Sequence, residues 1–196
     1  RMRSVITERD VPLTGEMKIS KGTIVTPSAR DLAKSRGVNL IEVPADQVVD
    51  PRGPDRTVAI GTDHGGVALK DKLKSVLDEL QLRVLDVGVN EEKPVDYPDI
   101  AEKVADALIS GRATRGVIID GAGIGSCMAA NKIPGIRAAL CYDKASARNS
   151  REHNDSNVLT LGARLLTESQ AEDVLRTWLG TPFGGGRHQA RVQKIL

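Results

Sequence analysis

At 196 residues the chain is long enough for one good hydrophobic core and a small appendage. Its 28 basic side chains against 26 acidic ones leave a formal charge of +2, too weak a field to argue for nucleic acid or a membrane surface, so any phosphate site must be built locally. No apolar run approaches the roughly 20 residues of a membrane span and the N-terminus lacks a signal-peptide core, which points to a cytosolic protein. Cys127 and Cys141 have no C-x-x-C spacing and are expected as reduced core thiols.

In chain order, Val5-Ile6-Thr7 is a candidate strand, and Thr26-Pro27 opens a helix with threonine as N-cap and proline at the first position. Gly37 closes that helix before a strand over 38–43. A helix this short must dock on something. The stretch VDPRGPDR, from Val49 to Arg56, reads as an exposed connection. Beyond it, short apolar runs at 58–61, 83–88, 116–120, 137–142 and 157–162 alternate with helical patterns at 67–80, 97–110, 124–133, 143–152 and 168–179. Val67, Leu69, Leu73, Val76, Leu77 and Leu80 make one apolar helix face, whereas the strands are continuous apolar runs, as expected where both faces are covered. The predicted fold is α/β: a Rossmann-like, doubly wound sheet of five parallel strands over residues 57–196, preceded by a small α/β appendage over 1–50. Ligands in such sheets sit beyond the carboxyl ends of the strands.

Three polar clusters lie between predicted strands and helices, and a fourth lies at the C-terminus. Gly61-Thr62-Asp63-His64-Gly65-Gly66 turns from strand to helix, and Asp63 reads either as a helix cap or as a site residue. In Asp120-Gly121-Ala122-Gly123-Ile124-Gly125-Ser126 the glycines let backbone N–H groups approach an anion, but the spacing is not that of a dinucleotide fingerprint. Arg151-Glu152-His153-Asn154-Asp155 is a charged knot between a helix and the next strand. Gly184 to Arg191, GGGRHQAR, carries Arg187 and Arg191 four apart, on one helix face. All three histidines, His64, His153 and His188, fall in these clusters and none pairs at metal-ligand spacing, which favours proton handling and phosphate contact over metal binding.

GTDHGG, DYP at 96–98, GAGIG, AANKIPGIRAAL at 129–140, REHNDSNVLTLGAR at 151–164 and GGRHQARV at 185–192 together resemble the ribose-5-phosphate isomerase B family, which includes galactose-6-phosphate isomerase subunits. The resemblance covers about residues 57–196. It implies an aldose–ketose isomerase that uses neither metal nor cofactor and moves a proton between C1 and C2 through a cis-enediolate. It implies His153 as the ring opener with Asn154 beside it, and Asp63 as the carboxylate that orients sugar hydroxyls. His64, Arg164, Arg187 and Arg191 are implied as the phosphate anchors, and Tyr97, Gly121, Gly123, Gly125 and Asn131 as further substrate contacts, with Arg137 near the site. It also implies active sites shared between subunits, hence at least a homodimer.

The base position departs from the family. Members carry a cysteine where this chain has Asp120, with a threonine at Ala122, or a glutamate at Ser126. Two readings of Asp120 follow: it is the base, as a carboxylate is for a carbon beside a carbonyl in triosephosphate isomerase, or it binds hydroxyls or caps the next helix in a protein of altered activity. For the oxyanion, backbone N–H groups from Gly123 to Ser126 or the Ser126 hydroxyl replace the threonine. The substrate expected first is ribose 5-phosphate, in exchange with ribulose 5-phosphate; the alternatives are another aldose phosphate, such as a hexose or allose 6-phosphate, and a catalytically silent sugar-phosphate binder. Residues 24–38 resemble a segment found on enzymes associated with bacterial microcompartments, which suggests either an encapsulation appendage that meets shell or cargo proteins or a structural flap.

Overall fold

The computed structural model describes residues 5–8, 11, 16–43, 57–90 and 94–195. The chain divides into two compact units, Arg1–Arg56 and Thr57–Leu196. The connection predicted over 49–56 lies outside the described residues.

In the first unit, β1 (Val5–Ile6) pairs in parallel with β3 (Ile24–Val25), and β2 (Glu16–Ser20) with β4 (Asn39–Val43). Between β3 and β4 runs α1 (Pro27–Ser35), the kind of crossover that parallel strands require. Thr26 caps it as expected, its hydroxyl accepting from the Ala29 N–H at 3.2 Å. After the C-cap Arg36, Gly37 turns left-handed at φ 66°. Met17, Ile19, Ala29, Ala33 and Val38 are buried together. The short strands β2 and β3 escape the sequence reading: EMKIS offers only two apolar residues, and Ile24–Val25 is too brief to show a period.

The second unit is a five-stranded parallel sheet in the order β6-β5-β7-β9-β8, with strands β5 (Thr57–Thr62), β6 (Arg83–Asp86), β7 (Arg115–Asp120), β8 (Ala138–Leu140) and β9 (Val158–Gly162). Side chains of a strand alternate between faces, and the core divides accordingly. Val58, Ile60, Val117, Ile119, Leu159 and Leu161 meet α2 (Val67–Glu79), α5 (Lys144–Glu152) and α6 (Glu168–Gly180). Ala59, Ile118 and Val158 meet α3 (Tyr97–Ile109) and α4 (Ile124–Ala130). Each fully buried leucine or isoleucine contributes about 1.5–3 kcal/mol, and helices on both faces are what the uninterrupted apolar strands foretell.

From β5 the chain goes out to β6 on one side and returns through α3 to β7 on the other. The order reverses there, between β5 and β7, and it is outside the carboxyl ends of strands at such a switch point that these sheets place their ligand crevice. An ion cluster braces that edge. The buried Lys70 ammonium donates to Asp86 Oδ1 at 3.0 Å, the Val89 carbonyl at 2.8 Å and Asn90 Oδ1 at 2.7 Å, while Lys74 donates to Asp86 Oδ2 at 2.8 Å. Burial works to raise the Asp86 carboxyl, but the bonds from Lys74, Lys70 and the Gly88 N–H outweigh it and hold the group below its usual range.

Candidate active site

At the carboxyl end of β7 the backbone turns sharply, and Asp120 folds back under the turn. Oδ1 accepts from the Ala122 N–H at 2.8 Å and from the Gly123 N–H; Oδ2 accepts from the Ser126 N–H at 3.0 Å and from its hydroxyl at 2.5 Å. A carboxylate offers about four lone-pair sites, and all are taken. Asp120 is 5 % exposed and Ser126 0 %. The two candidate proton-transfer residues therefore touch each other. Three of the four donors are backbone amides at the start of α4, where a negative charge is favoured.

These bonds commit the Gly123 and Ser126 amides, two of the expected oxyanion donors. Those of Ile124 and Gly125 remain in the first turn of α4, which has no carbonyl of its own to offer them. Gly123 adopts φ 78°, and a Cβ there would stand 2.6 Å from Leu140 Cδ1, so the loop needs glycine for both conformation and space. The end of β9 presses equally close: a Cβ on Gly162 would lie 2.6 Å from the Ala122 carbonyl oxygen. The Ala163 and Arg164 N–H groups donate to the Asp120 and Gly121 carbonyls at 2.8 and 3.0 Å, and the Arg164 side chain passes over Gly121.

Asp63 follows β5, its N–H bonded to the Ile119 carbonyl at 3.3 Å and its Oδ1 accepting from the Gly65 N–H at 2.8 Å. It is half-buried, and His64 beside it is exposed. Tyr97, the first residue of α3, lays its ring against Gly125. One contributor was absent from the sequence reading: Tyr142, just past β8, donates its hydroxyl to the Ala122 carbonyl at 2.8 Å. The strand-end rule that singled out Asp63 and Asp120 applies to it equally.

A second cluster forms at the opposite edge of the sheet. His153 caps α5 at its C-terminus, five residues before β9 begins, and its ring stacks on His188 with centroids 4.3 Å apart and planes 9° from parallel. Arg187 Nε donates to His188 Nε2 at 3.4 Å, and Arg191 lies on the short helix α7 (Gln189–Val192) that follows. Partial burial first, then the charges of His153, Arg187 and Arg191, hold His188 below the usual imidazole range, against the pull of Glu152. Asp155, left-handed at φ 47°, fixes the turn that carries His153 and Asn154: Arg151 donates to its Oδ1 at 2.8 Å and Arg137 to its Oδ2 at 2.9 Å. Arg137 thus buttresses this turn. A cavity of about 380 Å³ opens here, lined by Asn131, Arg137, Ser150, Asn154, Ser156 and Ile195 among others. The Asn131 amide is bonded on both sides to Ala138, giving to its carbonyl at 2.9 Å and taking from its N–H at 2.8 Å.

The expected site residues therefore fall into two groups. Asp63, His64, Tyr97, Asp120, the three loop glycines, Ser126 and Arg164 gather at the carboxyl edge; Asn131, His153, Asn154, Arg187 and Arg191 gather at the amino edge. The five residues of β9 separate the groups by about 16 Å of strand, at about 3.3 Å per residue.

The family model described as Ribose/Galactose Isomerase matches residues 58–195, most of the chain. The chain belongs to that family. Among its members, "Putative sugar phosphate isomerase YwlF" of Bacillus subtilis is 47% identical over 139 residues, 70% of this chain and 93% of that protein. Ribose-5-phosphate isomerase B of Escherichia coli is 41% identical over 140 residues, covering 71% and 94%. Among solved structures, Clostridium thermocellum ribose-5-phosphate isomerase B is 48% identical, with a TM-score of 0.70 over 71% of this chain and 94% of that one. The family match begins at Val58, so the first unit lies outside it.

Proposed function

We propose that this family member is an aldose–ketose isomerase that interconverts ribose 5-phosphate and ribulose 5-phosphate through a cis-enediolate by general acid–base proton transfer. The observation that carries the reading is the glycine loop after β7: it seats Asp120 and Ser126 in contact at the β5/β7 switch point, under the Arg164 side chain. The chemistry needs a base at the substrate carbon, donors for the enediolate oxygen and an anchor for the phosphate.

Asp120 is the proposed base. Of its four donors only the Ser126 hydroxyl can turn away without moving backbone, and that turn opens one lone pair on Oδ2. The Ile124 and Gly125 amides supply the oxyanion donors at the N-terminus of α4. Asp63 orients the sugar hydroxyls, His153 with Asn154 opens the ring, and His64, Arg164, Arg187 and Arg191 hold the phosphate. Because these residues lie at two edges of one sheet, the complete site joins the carboxyl edge of one copy to the amino edge of a second. The proposed enzyme is therefore a homodimer at minimum, and a tetramer is a pairing of such dimers.

Substrate choice is tested by kcat/KM for ribose 5-phosphate, allose 6-phosphate, galactose 6-phosphate and erythrose 4-phosphate. The four-carbon sugar is included because a family relative from Pectobacterium atrosepticum, 38% identical, is named D-erythrulose-4-phosphate isomerase. Ribose 5-phosphate is expected to give the highest value. Turnover of a hexose phosphate alone would reassign the substrate, and binding without turnover of any sugar would make the protein a silent binder.

For residues 1–50 we propose an encapsulation appendage that directs the isomerase to the shell of a bacterial microcompartment. Deleting them is expected to leave kcat/KM intact while abolishing co-sedimentation with shell proteins; unchanged sedimentation would count against the role.

A further inference from the structure

Asn149 belongs to none of the site motifs, yet it is tied to the ring of His153. It lies one turn earlier on α5, and its Nδ2 stands 2.9 Å from His153 Nδ1, while the His153 N–H donates to the Asn149 carbonyl at 2.9 Å. An amide nitrogen has only protons to give. With the amide nitrogen facing the ring, Nδ1 is the acceptor, and a neutral ring then carries its single proton on Nε2. The acid two residues on is engaged elsewhere: Asp155 Oδ1 accepts from Arg151 and Oδ2 from Arg137. The stacked His188 ring fixes the plane in which Nε2 points.

We propose that Asn149 is a positioning residue that selects the Nε2–H tautomer of His153, so that a neutral imidazole presents a hydrogen-bond donor to the ring oxygen of the bound sugar. This rests on the ring-opening role proposed for His153. In the step, the anomeric hydroxyl gives its proton to the Asp63 carboxylate and its O–H electrons close the C1 carbonyl. The bond from C1 to the ring oxygen breaks, and its electron pair stays on that oxygen under the Nε2–H. The oxygen then takes the proton back from Asp63. His153 keeps its own proton throughout and polarises the oxygen as a neutral donor, a task neutral imidazole can perform.

The test pairs a spectroscopic readout with a kinetic one on the full chain. Long-range 15N–1H NMR of the imidazoles, assigned with His153→Gln, is expected to show Nε2–H for His153 in the wild type. In Asn149→Asp the carboxylate accepts instead of donating, so the proton should move to Nδ1; Asn149→Ala should lose the fixed preference. Ribose 5-phosphate is a cyclic hemiacetal, whereas erythrose 4-phosphate cannot close a five-membered ring because the hydroxyl it would use carries the phosphate. The ratio of their kcat/KM values is expected to fall tenfold or more in Asn149→Asp, out of the about 10²–10⁴-fold that general acid–base help supplies.

An Nδ1–H signature in the wild type, or nitrogen shifts unmoved by Asn149→Asp, overturns the proposal even in a protein that turns over neither sugar. Shifts that follow Asn149 while both substrates lose rate equally overturn the ring-opening role and leave the tautomer assignment standing.

Discussion

Asp120→Asn is expected to lower kcat/KM for ribose 5-phosphate by at least about 10²-fold, the lower end of what a positioned base contributes. The amide keeps one acceptor oxygen but has no basic lone pair on nitrogen, and its NH2 must face the backbone amides of Ala122 and Gly123 or that of Ser126, donor against donor, with only the Ser126 hydroxyl able to turn and accept. Asp120→Ala removes every acceptor from four donors, most of them buried. At about 1–3 kcal/mol for each buried donor left unmade, less what water recovers, the loss of stability is expected at about 3–5 kcal/mol. Urea unfolding of the two variants beside their turnover separates the roles. A folded Asp120→Asn that retains wild-type kcat/KM would leave Asp120 as a cap for α4 and no more.

Mixing two inactive variants is expected to restore activity. Asp120→Asn disables the carboxyl-edge group and His153→Ala the amino-edge group, so neither homodimer has an intact site. Random pairing makes half of the dimers mixed, and each mixed dimer rebuilds one site of its two, so activity returns to about a quarter of wild type. The geometry requires this outcome if sites are shared, since β9 stands between Gly162, beside the glycine loop, and the turn that carries His153. Co-expression with two affinity tags, isolation of the mixed species and a turnover assay would measure it, the purified mixed dimer showing about half of wild-type activity. An inactive mixed dimer would place the working site within one chain.

Much of this was legible in the residues because a parallel sheet covered on both faces leaves plain marks. Val117-Ile118-Ile119 is an unbroken apolar run, and the face of α2 recurs at helical spacing from Leu69 to Leu77. The split of the site was legible in principle too. Asp63 and Asp120 lie where strands end, whereas His153 follows a helix and precedes a strand, so chain order alone assigns them to opposite edges. What could not be read depends on contacts across the chain. Tyr142 reaches back 20 residues to Ala122, and Asn131 spends both ends of its amide on Ala138. The most consequential such contact is at Asp120, whose residue type says carboxylate while its surroundings say that every lone pair is occupied until Ser126 lets go.

Proton exchange at C2 tests the central claim most directly. Ribose 5-phosphate is incubated with the protein in D2O, and deuterium at C2 of the aldose and at C1 of the ketose is followed by NMR beside the Asp120→Asn variant. An enediolate mechanism with Asp120 as base predicts that the wild type places deuterium at C1 of the ribulose 5-phosphate it forms and at C2 of the ribose 5-phosphate that returns from the enediolate, and that the variant does so at least about 10²-fold more slowly. Saturable binding of the sugar phosphate by both proteins, with no ribulose 5-phosphate formed and no deuterium at C1 or C2 from either, would contradict it.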